Sequence, residues 1–216
     1  MPKRNRGTPF GSIIATPARG DYMGNRGCLH DEQGQIKRLY ATRRWIICRL
    51  DFNGRQRTIM APGRYTELFF LDEATALAAG HRPCAECMYL RYKQFTSLWL
   101  VANPDLVSGL TISASRLDAI LHHERISPAG EKIIYSALLD QLPDGAFITL
   151  EPNEHPYLVL DDKILPWQPK GYGLAIPRPA GARVQVLTPR SIVRTLAKGY
   201  PVDIHASAWD RSNGKG

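Results

Sequence analysis

Apolar and polar positions change rhythm several times along the chain, and each change marks an element. From Trp45 the chain alternates through Ile47, Arg49 and Asp51 to Asn53-Gly54, then resumes at Gln56, Thr58 and Met60. Two alternating runs around a dipeptide that accepts positive φ predict a β-hairpin. After the break at Ala61-Pro62-Gly63, the apolar stretch Thr66 to Leu71 reads as a third strand. Asp72 is placed to cap a short alanine-rich helix over Glu73 to Ala79, which Gly80 ends. The turn His81-Arg82-Pro83-Cys84 opens a longer helix, because Met88, Tyr92, Phe95, Trp99 and Ala102 fall on one face. Asn103-Pro104 stops it.

Leu117, Ile120 and Leu121 predict a further helix over about Ser115 to Ile126, closed by Ser127-Pro128. Lys132 to Gln141 reads as another helix, leading to the turn Leu142-Pro143-Asp144-Gly145. Ala146 to Leu150, Tyr157 to Leu160 and Lys163 to Trp167 read as strands, with Asp161-Asp162 joining the last two. Val184 to Leu187 is one more strand, and Pro189 to Lys198 a helix with proline in its opening turn. Residues 1–30, rich in Gly, Pro, Asn and Arg, lack periodicity and read as a loop or arm. The fold class is α+β.

Of the 216 residues, 44% are hydrophobic and 22% charged, enough to bury a core without metal or disulfides. No apolar run approaches the length of a membrane span. The basic start Met1-Pro2-Lys3-Arg4-Asn5-Arg6 lacks a following hydrophobic signal region, so a cytoplasmic location is expected. The net charge of +8 is uneven: residues 1–66 carry thirteen Lys/Arg against four Asp/Glu, which leaves the rest near neutral. Such asymmetry points to a polyanionic partner, DNA or RNA. Lys37, Arg38, Arg43, Arg44, Arg49, Arg55 and Arg57 flank or lie on the predicted hairpin and could meet phosphates, with Tyr40 and Trp45 interleaved. Trp45 fits a core position better than a base-stacking one.

Four cysteines, two of them as Cys84-x-x-Cys87 at a helix entrance, suit metal binding in a reducing compartment better than disulfides. Free N–H groups there stabilise thiolates, and Zn²⁺ takes four such ligands tetrahedrally. C-x-x-C is half a site. Cys48 is the expected third ligand and Cys28 the fourth, with His30 as the alternative to Cys28. A thioredoxin-like pair is disfavoured by the helix just before Cys84, and the cysteine spacing matches neither common ferredoxin pattern.

The segment Leu68 to Cys87 resembles the second half of the Ada-type zinc-binding domain, through Phe69-Phe70, Glu73, Ala78-Ala79-Gly80, Arg82-Pro83-Cys84 and Cys87. That family appears in DNA repair proteins and in some nuclease-associated proteins, and its matching cysteines are zinc ligands. The resemblance therefore implies that role for Cys84 and Cys87. In the family the first cysteine pair is C-x3-C, and one of its thiolates accepts a methyl group from DNA phosphotriesters. Here Phe52 stands four residues after Cys48. The departure leaves the fourth ligand open and argues against alkyl transfer, so what carries over is the scaffold.

Other candidates are weaker. Adjacent His122 and His123 point about 100° apart on a helix and read as a solvated helix end. His30-Asp31-Glu32 has no partner motif for metal-dependent hydrolysis. Trp167, Tyr172 and His205 lie near Pro and Gly turns, where binding residues can sit. The organisation expected is a basic arm over 1–30, a zinc-centred region over 31–104, a helical connector over 105–130, a β-rich region over 131–205 and a flexible tail over 206–216. The function expected is a nucleic-acid-associated zinc protein, in DNA repair or processing, with mainly structural metal. Two alternatives stand beside it: an enzyme with a pocket between the halves, such as a metal-dependent hydrolase using His30, Asp31 or zinc-bound water, and a structural or protein-interaction module.

Overall fold

A computed structural model describes residues 1–54, 56, 58–151 and 153–210. In chain order its elements are β1 (Arg4–Gly7), β2 (Ile13–Ala15), β3 (Tyr22–Asn25), β4 (Ile46–Arg49), β5 (Leu68–Phe70), α1 (Glu73–Ala78), β6 (Arg82–Pro83), α2 (Tyr89–Ala102) and α3 (Ala114–Arg125). There follow β7 (Tyr135–Leu138), β8 (Phe147–Leu150), β9 (Asn153–Leu160), β10 (Lys163–Gln168), β11 (Gly171–Tyr172), β12 (Ile176–Pro177), β13 (Arg183–Val186) and α4 (Arg190–Ala197). The chain is α+β, with two sheets. The first runs β2-β1-β5-β3-β4-β6, and the second runs β11-β10-β9-β8-β13-β7 with β12 also on β10. No helix among the described residues is long and apolar enough to cross a membrane.

The first thirty residues are not an arm. They supply three of the six strands of the first sheet, and β3 lies between β5 and β4 in its interior. Their glycines, which read as loop, answer a packing demand. A Cβ on Gly7 would lie 2.2 Å from the Phe70 ring, and one on Gly24 would lie 2.3 Å from it. Only glycine lets the strands close over this buried aromatic.

The Asn53-Gly54 turn forms, with φ of 53° and 63°. No returning strand follows among the described residues; β4 pairs instead antiparallel with β3 and parallel with β6. The helix expected over 132–141 is also absent. Tyr135 and Ala137 alternate onto the second core as β7, paired with β13, and a single 3₁₀ turn, Leu139–Gln141, follows. Elsewhere the helices start and stop close to where caps and prolines put them, and Asp161, at φ 51°, turns β9 into β10.

The two sheets share α1. Ala76 and Leu77 pack with β-strand residues of the first sheet and with α2, α3 and α4, whereas Ala74 and Ala78 pack with Phe147, Leu158, Leu165 and Trp167 of the second. Asp72 caps α1 through Thr75 N (2.8 Å) and also accepts from the Tyr172 hydroxyl (2.6 Å) and from His205 N (3.0 Å). Trp167 donates its indole N–H to Thr75 Oγ1 at 3.1 Å. Trp167 and Tyr172 thus tie the second sheet to α1, and His205 ties the C-terminal segment to it. The adjacent Glu73, fully buried, accepts from Tyr200, Asp203 N and Arg91. Helix α4, from the end of the chain, packs on α2, so the C-terminal region closes back onto the first core.

Gly24→Ala should lower stability by roughly 1–3 kcal/mol, the usual penalty of overpacking. In urea melts the Gly24→Ala/Phe70→Leu pair should lose less than the sum of its singles, since the smaller side chain makes room for the new methyl.

Candidate metal centre

The parallel pairing of β4 with β6 builds the site. Arg82 N donates to Trp45 O at 3.1 Å and Cys84 N to Ile47 O at 2.9 Å, which sets Cys84 beside Cys48. Pro83, between them, has no N–H to lose, and β6 is the edge strand, where proline is tolerated. The chain then turns through residues 85–88 into α2 and brings Cys87 back to the same point. The sulfurs of Cys48, Cys84 and Cys87 all lie within 4.8 Å of one another.

Backbone donors surround these sulfurs. Glu86 N approaches Cys84 Sγ at 3.4 Å, Cys87 N also donates to Cys84, and Arg49 N donates to Cys87. Cys84 accepts from the thiols of Cys48 and Cys87 as well, and its own pKa is pushed far down. The Cys48 thiol, buried against the other two sulfurs, is pushed up. Backbone donors and neighbouring thiols thus favour the thiolate form at Cys84. A metal cation can replace the thiol protons, because three soft sulfurs suit a thiophilic ion. Tetrahedral bonds of about 2.3 Å would space the sulfurs about 3.8 Å apart, a contraction of at most about 1 Å.

The cysteines are only 6%, 7% and 9% exposed and form part of the first hydrophobic core, against which Phe52 packs. Helix α2 is fixed nearby by Arg82, whose guanidinium forks onto Asp118 of α3 at 2.9 and 2.8 Å and lies over the Tyr92 ring. Nothing in the local sequence marks that pair, since Arg82 and Asp118 are 36 residues apart.

Cys28 and His30 lie outside the cysteine group. Cys48 pairs across the sheet with Met23, and β3 runs from there toward Asn25 opposite Ile46, so residues 26–30 leave by the far end of the strand. The Cys28 thiol faces the His30 carbonyl at 3.6 Å. The His30 ring is held by Thr66 Oγ1 at 2.6 Å and the Ala61 carbonyl at 3.3 Å. Asp31 folds its own loop, accepting from Gln33 N and Gln35 N and pairing with Lys37 at 3.1 Å.

Lys37, Arg38, Arg43, Arg44 and Arg49 are all exposed, and the first four share the loop that enters β4; Arg55 and Arg57 lie outside the described residues, as does the tail beyond residue 210. Trp45 is core, as expected. His122 is not at a solvated helix end: it is buried edge-on against Tyr40, with ring centroids 4.8 Å apart, and Glu124 accepts from Ser191 of α4. Comparison with protein-family models, with curated proteins and with solved structures gives no match.

Replacing Cys48, Cys84 or Cys87 singly by serine should weaken metal affinity by more than the roughly 10–100-fold typical of losing an outer-shell partner. Cys28→Ser should leave it unchanged. Competition with a colorimetric chelator measures both.

Proposed function

We propose that this is a zinc protein that associates with nucleic acid, the zinc being structural. The observation that carries the reading is the convergence of three buried sulfurs on one point from β4 and from the turn before α2. Three buried sulfurs within a hydrophobic core favour structural zinc, which would take its fourth ligand from beyond this cysteine group, whereas catalytic zinc usually has nitrogen or oxygen ligands and an open, wet position. Cys48, Cys84 and Cys87 would hold the ion, and bound zinc supplies a cross-link between the two segments. The resemblance of residues 68–87 to the Ada-type domain supports the same ion.

The nucleic-acid part rests on where the charge sits. Lys37, Arg38, Arg43 and Arg44 are exposed on one loop that runs directly into β4, and Arg49 at the other end of that strand is exposed too. A cross-link at Cys48 would hold this loop's exit rigid, so that its cations are presented without ordering a flexible segment on binding. Contacts of this kind neutralise phosphates and read no sequence, so affinity for DNA or RNA should be broad.

Binding to single- and double-stranded oligonucleotides, followed by fluorescence anisotropy at several salt concentrations, tests the reading. The log–log salt slope should be steep, and Arg43→Ala/Arg44→Ala should reduce its magnitude by roughly 1.4–1.8, about 0.7–0.9 for each lost phosphate contact. An affinity that ignores salt would remove the nucleic-acid assignment.

A further inference from the structure

Three cations surround a cavity of about 180 Å³ on the Trp45 side of the β4–β6 pairing: Arg26 from just past β3, Arg125 from the end of α3, and Lys132 from the segment before β7. Arg26 is 1% exposed and Arg125 2% exposed. Among the described residues, neither they nor Lys132 reach a carboxylate within ion-pair distance. The fold supplies its own control. Arg82 is equally buried and is matched by both oxygens of Asp118, whose charge also acts on Arg125 without reaching it as an ion pair.

The polar atoms of these cations are only partly used. Arg26 donates from Nε to His81 Nε2 (3.2 Å) and from one terminal nitrogen to Gly11 O (2.8 Å), but its other terminal nitrogen has no partner. Arg125 donates to the carbonyls of Gly80 (2.8 Å) and Arg43 (2.5 Å), and its Nε has none. Lys132 Nζ reaches the Ala78 carbonyl at 2.7 Å. Both guanidinium carbons lie against the Trp45 ring, at 3.9 and 4.1 Å from its centroid, so one indole holds both arginines at the cavity wall. Gly11, at φ 80°, lines the cavity beside the unpartnered Arg26 nitrogen.

Cations gathered in this way repel one another. Burial and the neighbouring guanidiniums push Lys132 down to about 7, and burial together with Arg125 pushes Arg26 down to about 9. A dianion removes that repulsion and accepts the idle N–H groups, and guanidinium forks match tetrahedral oxyanions. We propose that Arg26, Arg125 and Lys132 form a binding pocket for a phosphoryl group. At about 180 Å³ the cavity is smaller than the roughly 300–1,000 Å³ of pockets that enclose a whole small molecule, so it takes the phosphoryl group and not an attached nucleoside.

The phosphoryl group has two possible sources, free inorganic phosphate or the terminal phosphate of a nucleic-acid strand. Leu39 lines the cavity, and the Arg43 carbonyl holds Arg125, so the exposed basic loop borders the site. A strand terminus would therefore rest on the nucleic-acid reading above, whereas free phosphate would not.

Titrating the full-length protein with inorganic phosphate in a chloride buffer, followed by thermal shift and by ³¹P line broadening, tests the pocket. Saturable stabilisation is expected, and Lys132→Met should weaken it at least about tenfold, the loss of one charge-assisted contact. Lys132 is the half-buried member, and Ser12→Asp, which brings an anion to the cavity wall, gives a second variant that should compete with phosphate should Lys132→Met not fold. A 5′-phosphorylated oligonucleotide that displaces phosphate where its 5′-hydroxyl twin does not identifies the strand terminus; displacement by neither identifies the free ion. No saturable effect up to roughly 10 mM, a concentration that captures even weak millimolar sites, would overturn the pocket. Salt-dependent oligonucleotide binding could persist in that case, so the two readings fail separately.

Discussion

The short parallel ladder between residues 45–47 and 82–84 governs both halves of this account. N–H donations from Arg82 to Trp45 and from Cys84 to Ile47 flank a register of only two residue pairs between β4 and β6. On one side they set Cys84 against Cys48 and so bring the C-x-x-C turn to a third sulfur. On the other they set His81 near Arg26 and Trp45, where the buried cations gather. A pairing this short cannot be held by its own hydrogen bonds, which contribute only about 0.5–1.5 kcal/mol each. It depends on anchors beyond it: the Arg82–Asp118 fork to α3 and the packing of α2, to which the proposed metal at the sulfurs would add a third.

Helix α1 plays the corresponding part for the whole chain. Its six residues are all buried, so neither its length nor intrinsic propensity accounts for its stability. Two buried carboxylates at its start do more. Asp72 and Glu73 collect donors from the region 172–205 and from α2, which makes the N-terminus of one short helix the meeting point of two sheets. Removing either carboxylate would leave several buried donors without acceptors, a larger loss than that of the cap alone.

Much of this could be read along the chain, and the failures share a cause. Helices α1 to α4 announced themselves through caps, prolines and apolar spacing, which are local signals. So did the β9–β10 hairpin. What misled was structure decided by distant partners. Asn53-Gly54 makes its turn, yet the strand before it finds β3 and β6 instead of the residues that follow. Residues 1–30 read as loop because their glycines carry no pattern, although Phe70, far along the chain, requires them. Cys28 completed a set of four cysteines by count, but the register of β3 carries it away from the other three. Counting charges over residues 1–66 included Arg26 and passed over Arg125. Only the fold reveals that they are buried beside Trp45.

The metal itself is the central claim, and its ligand shell is directly measurable. X-ray absorption at the zinc edge of protein purified without chelators should give one zinc per chain with a shell dominated by sulfur at about 2.3 Å, at least three such neighbours. A folded protein that retains no metal, or a shell made of nitrogen and oxygen alone, would contradict the account.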